Sequence, residues 1–497
     1  KKLIAAAYQA WGDQMGAHLN GQFAFVLRDT ETDELFCARD PFGAELLFYY
    51  QTEDGRLLYG LEIKDLFDQP GYVRELNREM VQFYLEFTYV PGEDTLFKGV
   101  RKLEPGGFLR FGTQGLELGR YWELTFEPDE SKSLDDWADE GEAAMDAAMR
   151  DIVDEGEVPD SFLSGGVDSS YILAKGPTRC GFCVSYADQK VSEEEDARAT
   201  AAYLGREFEG VEVTPEDFFG NVDEFLLAYE QPSADVAGLS LYCGCKKVKE
   251  HSSLCFSGEG ADEFFAGYSV YGRVKRLHMS PDPVYFGSTH IMNPSEMRRY
   301  LKTYYAQNSA RTFMRDRGKE GLKYDPLTWM LYVEFRSYFE GSILFNSTKI
   351  SRGTGLDIRM PFVDMRMLNV ALRMPSRFKR DGENNKVALR KAASRVLPQE
   401  VAYRKKLGFP VPVSSWLRDP ETNADIERAF NSAAAAEFFN VDEIGALLDA
   451  FLGRKPRVSH PIWFPRHKAL LWRHVWTIYL FIRWYELFFG EAADKAE

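Results

Sequence analysis

Ser164-Gly-Gly-Val-Asp-Ser-Ser170 is the stretch on which the fold turns. It lies between a short apolar strand ending at residues 161–163 and an apolar helix over 169–174, where backbone N–H groups and a helix N-terminus can grip an anion. Small residues let a phosphate approach closely. The serine hydroxyls add donors, whereas Asp168 adds a negative charge that makes sense beside a polyphosphate only with a cation between them, for which magnesium is the natural choice. This is not a Walker loop, because no Gly-x-x-x-x-Gly-Lys-Ser/Thr occurs and Gly318-Lys319 is followed by Glu320. Alone, it fits an ordinary Ser/Gly turn as well as a phosphate site.

A second segment changes the balance. Ser257-Gly-Glu-Gly-Ala-Asp-Glu-Phe-Phe-Ala-Gly-Tyr268 also follows an apolar run, Leu254-Cys-Phe256, and packs three acids among small residues. It fails the dinucleotide fingerprint, since Glu263 stands where the last glycine is needed. A loop this acidic is either a solvated turn or a metal-assisted site.

Working outward, residues 137–152 read as a helix and 182–186 as a strand, so strands alternate with helices around the first loop. That pattern predicts a parallel, doubly wound α/β sheet with ligands at the carboxyl ends of its strands. Upstream, the opening 120 residues read as strands and turns. Hairpins are expected across Asp29-Thr-Glu-Thr-Asp33 and across Thr52-Glu-Asp-Gly55. The polar run Glu127-Pro-Asp-Glu-Ser-Lys-Ser133 suggests a linker, giving an antiparallel domain over 1–124 and a second domain over 125–497. From about residue 290 onward the chain reads as mostly helical, including 330–346 and 385–396, without internal repeats.

Composition removes several classes. Sixty Lys and Arg against 77 Asp and Glu leave a formal charge of -17, which repels a phosphate backbone, so no nucleic-acid partner is expected and a tRNA-adenylating enzyme is disfavoured. The stretch 470–489 is interrupted by Arg473, His474, Arg483 and Glu486 and reads as an aromatic-rich core helix rather than a membrane span. Six cysteines in 497 residues suggest no disulfide framework and favour a reducing cytoplasm. Cys180 and Cys183, with Cys243 and Cys245, have metal-ligand spacing, but their apolar surroundings favour buried thiols over zinc. No Gly-x-Ser-x-Gly motif supports a hydrolase.

The two loops together resemble the asparagine-synthetase family of amidotransferases, whose pattern is Ser-Gly-Gly-x-Asp-Ser-Ser followed by Ser-Gly-Glu-Gly-x-Asp-Glu. Asp357-Ile-Arg-Met-Pro-Phe-Val-Asp364, Lys386-Val-Ala-Leu-Arg390 and Arg404-Lys-Lys-Leu-Gly-Phe409 extend the likeness. Leu19-Asn-Gly-Gln-Phe-Ala-Phe25, Arg39-Asp40, Gly43 and Lys102-Leu-Glu-Pro-Gly106 look like the later part of that family's N-terminal-nucleophile glutaminase domain. The resemblance implies an ATP-pyrophosphatase domain that converts a carboxylate to its adenylate for amidation by ammonia or another amine. It implies that Leu163, Ser164, Gly165, Gly166, Asp168 and Ser169 hold the phosphates of ATP, and that Val184, Ser257 and Gly258 border the adenosine. Asp168 and Asp262 would hold Mg2+, Glu259 would face the acyl substrate or the amine, and Lys406 would act in catalysis. It leaves room for a homodimer and gives no reason to expect a membrane partner.

Family members that hydrolyse glutamine begin with a nucleophilic cysteine, whereas this sequence opens at Lys1 inside that domain. Cys37 sits mid-strand without a free amine and cannot substitute, so these residues are expected to use ammonium rather than glutamine. Two departures fall in what the resemblance marks as the acceptor region: Thr348 replaces a usual aspartate, and Glu45-Leu46 a usual Lys-Pro. Glu230-Gln-Pro-Ser-Ala-Asp235 resembles a branch whose acceptors are not only aspartate. An intramolecular lactam-forming or peptide-cyclising synthetase is the alternative within the family. A catalytically dead scaffold is disfavoured by intact Asp168, Asp262 and Lys406.

Overall fold

The computed structural model describes residues 2–153, 156–186, 193–273, 277–287, 289–405, 411–455, 458 and 470–490. Strands β1 (Ala24–Arg28), β2 (Leu35–Arg39), β3 (Phe48–Gln51), β4 (Leu57–Gly60), β5 (Arg101–Lys102), β6 (Gly107–Gly112) and β7 (Gly115–Arg120) form two antiparallel sheets, ordered β1-β2-β6-β7 and β4-β3-β5. Both expected hairpins are present, β1 pairing with β2 and β3 with β4. Alternation along β2 and β6 divides their side chains between faces. Phe36, Ala38 and Phe108 join one apolar cluster, while Cys37 and Leu109 join another.

The first 120 residues are not strands and turns alone. Lys2–Trp11 and Met80–Phe87 are helices. The first is alanine-rich, which favours a helix on propensity. The second is a near-continuous apolar run whose period cannot separate strand from helix. All of Val81 to Phe87 are buried, and Thr88 ends the helix at φ 68°.

The second antiparallel sheet ends before a parallel one begins. Strands β8 (Asp160–Phe162), β9 (Cys180–Ser185), β10 (Glu207–Glu212), β11 (Leu254–Phe256) and β12 (Asp357–Arg359) lie in the order β10-β9-β8-β11-β12, all pairings parallel. The chain steps from β8 outward to β9 and β10, then returns to the other side of β8 for β11. Strand order therefore reverses between β8 and β11, which opens a crevice at their carboxyl ends. Helix Val236–Lys249 packs close to this sheet at Gly244, where a Cβ would lie 2.7 Å from Val184 Cγ2. All six cysteines are buried free thiols. Burial pushes Cys183 and Cys243 up to about 12.

Residues 127–133 dock against the end of helix Met365–Arg373, with the amides of Glu127 and Asp129 donating to Leu372 O at 3.1 Å and Arg373 O at 2.8 Å. Ser133 then caps helix Leu134–Asp151. Further on, a π-helical stretch, Phe335–Leu344, joins helices Pro326–Glu334 and Phe345–Thr354. Leu471–Phe489 is a core helix with Trp476, Phe481 and Trp484 buried. Among the described residues no helix is long and apolar enough to cross a membrane.

Candidate active site

The loops after β8 and β11 meet at the point where strand order reverses, and they line one cavity of about 1160 Å³. Leu163, Ser164, Asp168 and Ser169 contribute from the first loop, Ser257, Gly258, Glu259 and Asp262 from the second, and Val184 from the end of β9. Gly165 and Gly166 make the turn leading into helix Val167–Lys175. The serines brace this turn from within. Ser164 N donates to Ser169 Oγ at 3.0 Å, Gly166 N to Ser164 Oγ at 3.2 Å, and Ser170 Oγ to Gly166 O at 2.8 Å. Gly258 lies against the other loop, where a Cβ would stand 3.4 Å from Asp168 Cβ. The loops are thus in van der Waals reach of each other, and small residues are what permit it.

Asp168 and Asp262 converge on one cation, the ammonium of Lys386. Its Nζ lies 2.5 Å from Asp168 Oδ2 and 2.8 Å from Asp262 Oδ1. All three residues are buried, Lys386 to 2% exposure. Lys386 holds a left-handed backbone, φ 54°, at the start of helix Val387–Ala393. A non-glycine residue pays for such a conformation, which is characteristic of functional sites. Asp168 Oδ1 is buried and has no hydrogen-bond partner among the described residues. Beside the pair, burial and then the charge of Asp262 push the Glu263 carboxyl up to about 8, and Tyr268 OH donates to it at 2.5 Å.

Opposite the loops, basic side chains organise the strand of backbone that leads to residue 405. Arg390 donates from Nη1 to Ala402 O at 2.7 Å and to Arg404 O at 3.0 Å. Arg404 in turn donates to Gly165 O at 3.1 Å and approaches Asp196 at 3.3 Å. Arg380, Arg390 and Lys405 line the cavity with Asp235 and Glu383. Lys406 lies outside the described residues. The role of Lys386 was missed in the sequence even though its motif was quoted, because nothing local marks a lysine as bridging carboxylates more than a hundred residues away.

Thr348 and Glu45, the two departures in the expected acceptor region, are not in the lining of this cavity. Thr348 Oγ1 donates to Ala44 O at 2.6 Å, and Glu45 pairs with Arg352 at 2.5 Å. Both line a second cavity of about 390 Å³ with Asn20 and Gln22, which shares Ser347 with the larger one. On helix Phe345–Thr354 successive side chains diverge by about 100°, so Asn346 and Ser347 reach the larger cavity while Thr348 turns toward the N-terminal sheets.

Comparison with known proteins agrees with this geometry. The asparagine synthase family profile matches residues 140–486, and a glutamine amidotransferase domain profile matches residues 2–122. Asparagine synthetase [glutamine-hydrolyzing] 1 of Bacillus subtilis is 29% identical over 98% of this chain and 80% of its own length. A putative asparagine synthetase [glutamine-hydrolyzing] of Mycobacterium tuberculosis is 28% identical over 98% of this chain and 79% of its own. Asparagine synthetase [glutamine-hydrolyzing] 3 of Bacillus subtilis is 27% identical over 85% and 74%. With the larger profile spanning well over half of the 497 residues, and with both Ser-Gly loops at the crevice of a parallel sheet, the chain belongs to the asparagine synthase family and is an ATP-dependent carbon–nitrogen ligase.

Proposed function

We propose that the chain activates a carboxylate with ATP, releasing pyrophosphate and leaving an acyl-adenylate, and that ammonia then displaces AMP to form the amide. The observation carrying this reading is the convergence of Asp168 and Asp262, from two loops at the switch point, on a single cation. In this reading the loop from Leu163 to Ser169 takes the phosphates, and Val184, Ser257 and Gly258 border the adenosine. Glu259, on the cavity wall between them, faces the acyl group or the amine. Lys406 stabilises the negative charge that develops during both transfers. Residues 1–124 are the glutaminase-like part and 125–497 the synthetase part.

The residues fit magnesium. Asp168 and Asp262 are hard oxygen donors that already hold one cation, and Asp168 Oδ1 is buried without a hydrogen-bond partner among the described residues. Two carboxylates suit an ion that keeps water and phosphate oxygens as its remaining ligands. When bound, magnesium supplies neutralisation of phosphate charge as pyrophosphate leaves.

The test is exchange of labelled pyrophosphate into ATP, made dependent on added acid and screened over aspartate, other amino-dicarboxylates and peptidoglycan-type acids. Exchange stimulated by one acid, followed by ammonium-dependent amide formation, is the expected result. Product formed without ammonium from an acid carrying its own amine would replace this reading with the intramolecular one. Absence of acid-dependent exchange across the screen would remove the adenylate step.

A further inference from the structure

Away from the ATP cavity, a polar cavity of about 320 Å³ lies where the N-terminal sheets meet helices Ala310–Gly318 and Pro326–Glu334 and the π-helical stretch. Five carboxylates stand in its walls, those of Glu93, Glu104, Glu123, Glu320 and Glu340, and two of them are each shared by two cations. Glu340 accepts from Arg39 Nη1 at 3.0 Å and has Lys102 Nζ at 3.8 Å. Glu104 pairs with Arg317 at 2.9 Å and with Arg120. Arg39 is fully spoken for, because it also donates to the carbonyls of Gly43, Glu45 and Leu103. Lys102 is not. Its side chain is 2% exposed, and among the described residues its Nζ has no hydrogen-bond partner.

A buried ammonium without hydrogen bonds is costly, and here the neighbouring guanidinium groups add repulsion. Burial first, and then the nearby Arg39 and Arg317, lower the Lys102 ammonium below its usual range despite Glu340. Burial together with Arg336 and Arg317 does the same to Arg120, against the opposing charges of Glu123 and Glu93. Around the cavity the six cations Arg39, Lys102, Arg120, Arg317, Lys323 and Arg336 face the five carboxylates, which leaves an excess of one positive charge beside the unpartnered Lys102 ammonium. A bound anion would complete the hydrogen bonding of Lys102 and offset that charge.

We propose that this interdomain cavity is a binding site for a small oxyanion, held by Lys102, Arg317 and Arg120. The chemistry is shared by a phosphate and by the carboxylate of a small acid, and the site is distinct from the ATP cavity, with which its lining has no residue in common.

Inorganic phosphate and succinate, titrated separately into the full chain by calorimetry with ATP present to occupy the other cavity, distinguish the two sources. At least one is expected to bind, and crystals soaked in it should show the anion between Lys102 and Arg317. Lys102→Met should weaken binding by about 10- to 100-fold, the value of a charge-assisted hydrogen bond. Glu340→Gln, which removes a competing negative charge, should tighten it. Ammonium-dependent amide synthesis measured without either anion should be unchanged in Lys102→Met. The proposal is overturned if neither anion binds, if the soaked anion lies elsewhere, or if Lys102→Met binds as well as the parent chain. Should either variant fail to fold, titration and soaking of the unmodified chain decide the matter alone.

Discussion

Gly267→Ala is the sharpest probe of the carboxylate pair. A Cβ at Gly267 would lie 1.7 Å from Asp262 Oδ1 and 2.2 Å from Lys386 Cε. Neither neighbour is a loose exposed chain end, since Asp262 is 7% and Lys386 2% exposed. To regain ordinary contact at 3.4 Å the carboxylate oxygen must retreat by about 1.7 Å. Lys386 bridges Asp168 at 2.5 Å and Asp262 at 2.8 Å, so a retreat of that size breaks one arm of the bridge. A misplacement of about 1 Å near reacting groups costs about 10²-fold in rate, roughly 3 kcal/mol of barrier. Turnover should therefore fall by about 10²-fold or more, while loss of one arm of a buried pair costs about 1–3 kcal/mol of stability. The control is Gly141→Ala, in the middle of helix Leu134–Asp151, where a Cβ meets nothing within 4 Å. It should leave turnover unchanged and gain about 0.5–1 kcal/mol. Both variants are read by acid-dependent pyrophosphate exchange and by urea unfolding. Exchange by folded Gly267→Ala within about threefold of the parent would show that the geometry of this pair does not control the chemistry.

Asp168→Asn and Asp262→Asn should each abolish adenylate formation in a folded chain, because each removes an anionic ligand from a shared cation; undiminished magnesium-dependent pyrophosphate release in either would sink the metal assignment. Lys406→Ala should bind ATP yet lose about 10²- to 10³-fold in turnover, roughly 3–4 kcal/mol, while Lys405→Ala stays active. The reverse pattern, in ATP binding and product assays, would mean that the wrong lysine has been chosen. Stability should also fall in acid through His474, which burial pushes down to about 4. Its folded value lies below the usual 6.5, so its contribution is complete above pH 6.5 and is lost as pH falls toward 4, up to roughly 3 kcal/mol. The urea midpoint should fall less between pH 7 and pH 4.5 in His474→Leu than in the parent chain, and equal falls would refute the assignment.

Much of the parallel half is legible in the sequence because each signal is local. Leu254-Cys-Phe256 is a short apolar run between polar residues, and β11 occupies those three positions. The helix after the first loop is likewise announced by a glycine pair and an acid in its first turn, and it runs Val167–Lys175. What local pattern cannot supply is partnership across the chain. Met80–Phe87 is apolar but for Gln82 and Glu86, which are themselves buried, so its packing between other elements rather than its local pattern makes it a helix and not a strand. The same limit governs the site. Asp168 and Asp262 stand out as acids among small residues, but Lys386 is one lysine among many until the fold sets it between them, and Arg404 gains meaning only where it reaches Gly165.

The helix Phe345–Thr354 makes clear why reading substitutions by their place in a motif can mislead. Its Asn346 donates to Asp235 at 2.7 Å on the wall of the larger cavity. One turn of side chains away, Lys349 is fully buried between Glu62 and Glu230, and Arg352 reaches Glu45 and Glu62 at 2.5 Å. Glu230 also accepts from the amides of Ile63 and Lys64, both at 2.9 Å, from a left-handed backbone of φ 64°. A buried lysine held by two carboxylates fixes the register between the N-terminal sheets and this helix, since breaking such a pair leaves an uncompensated charge. Thr348 and Glu45 belong to that junction, where an arginine one turn along supplies the positive charge opposite Glu45. Changes there bear on how the two parts of the chain are joined. In the proposed reading the acceptor acid would be chosen instead by side chains that line the larger cavity, such as Asp235, Arg380, Glu383 and Asn384, where cationic and anionic groups stand together as an amino acid's two charges require.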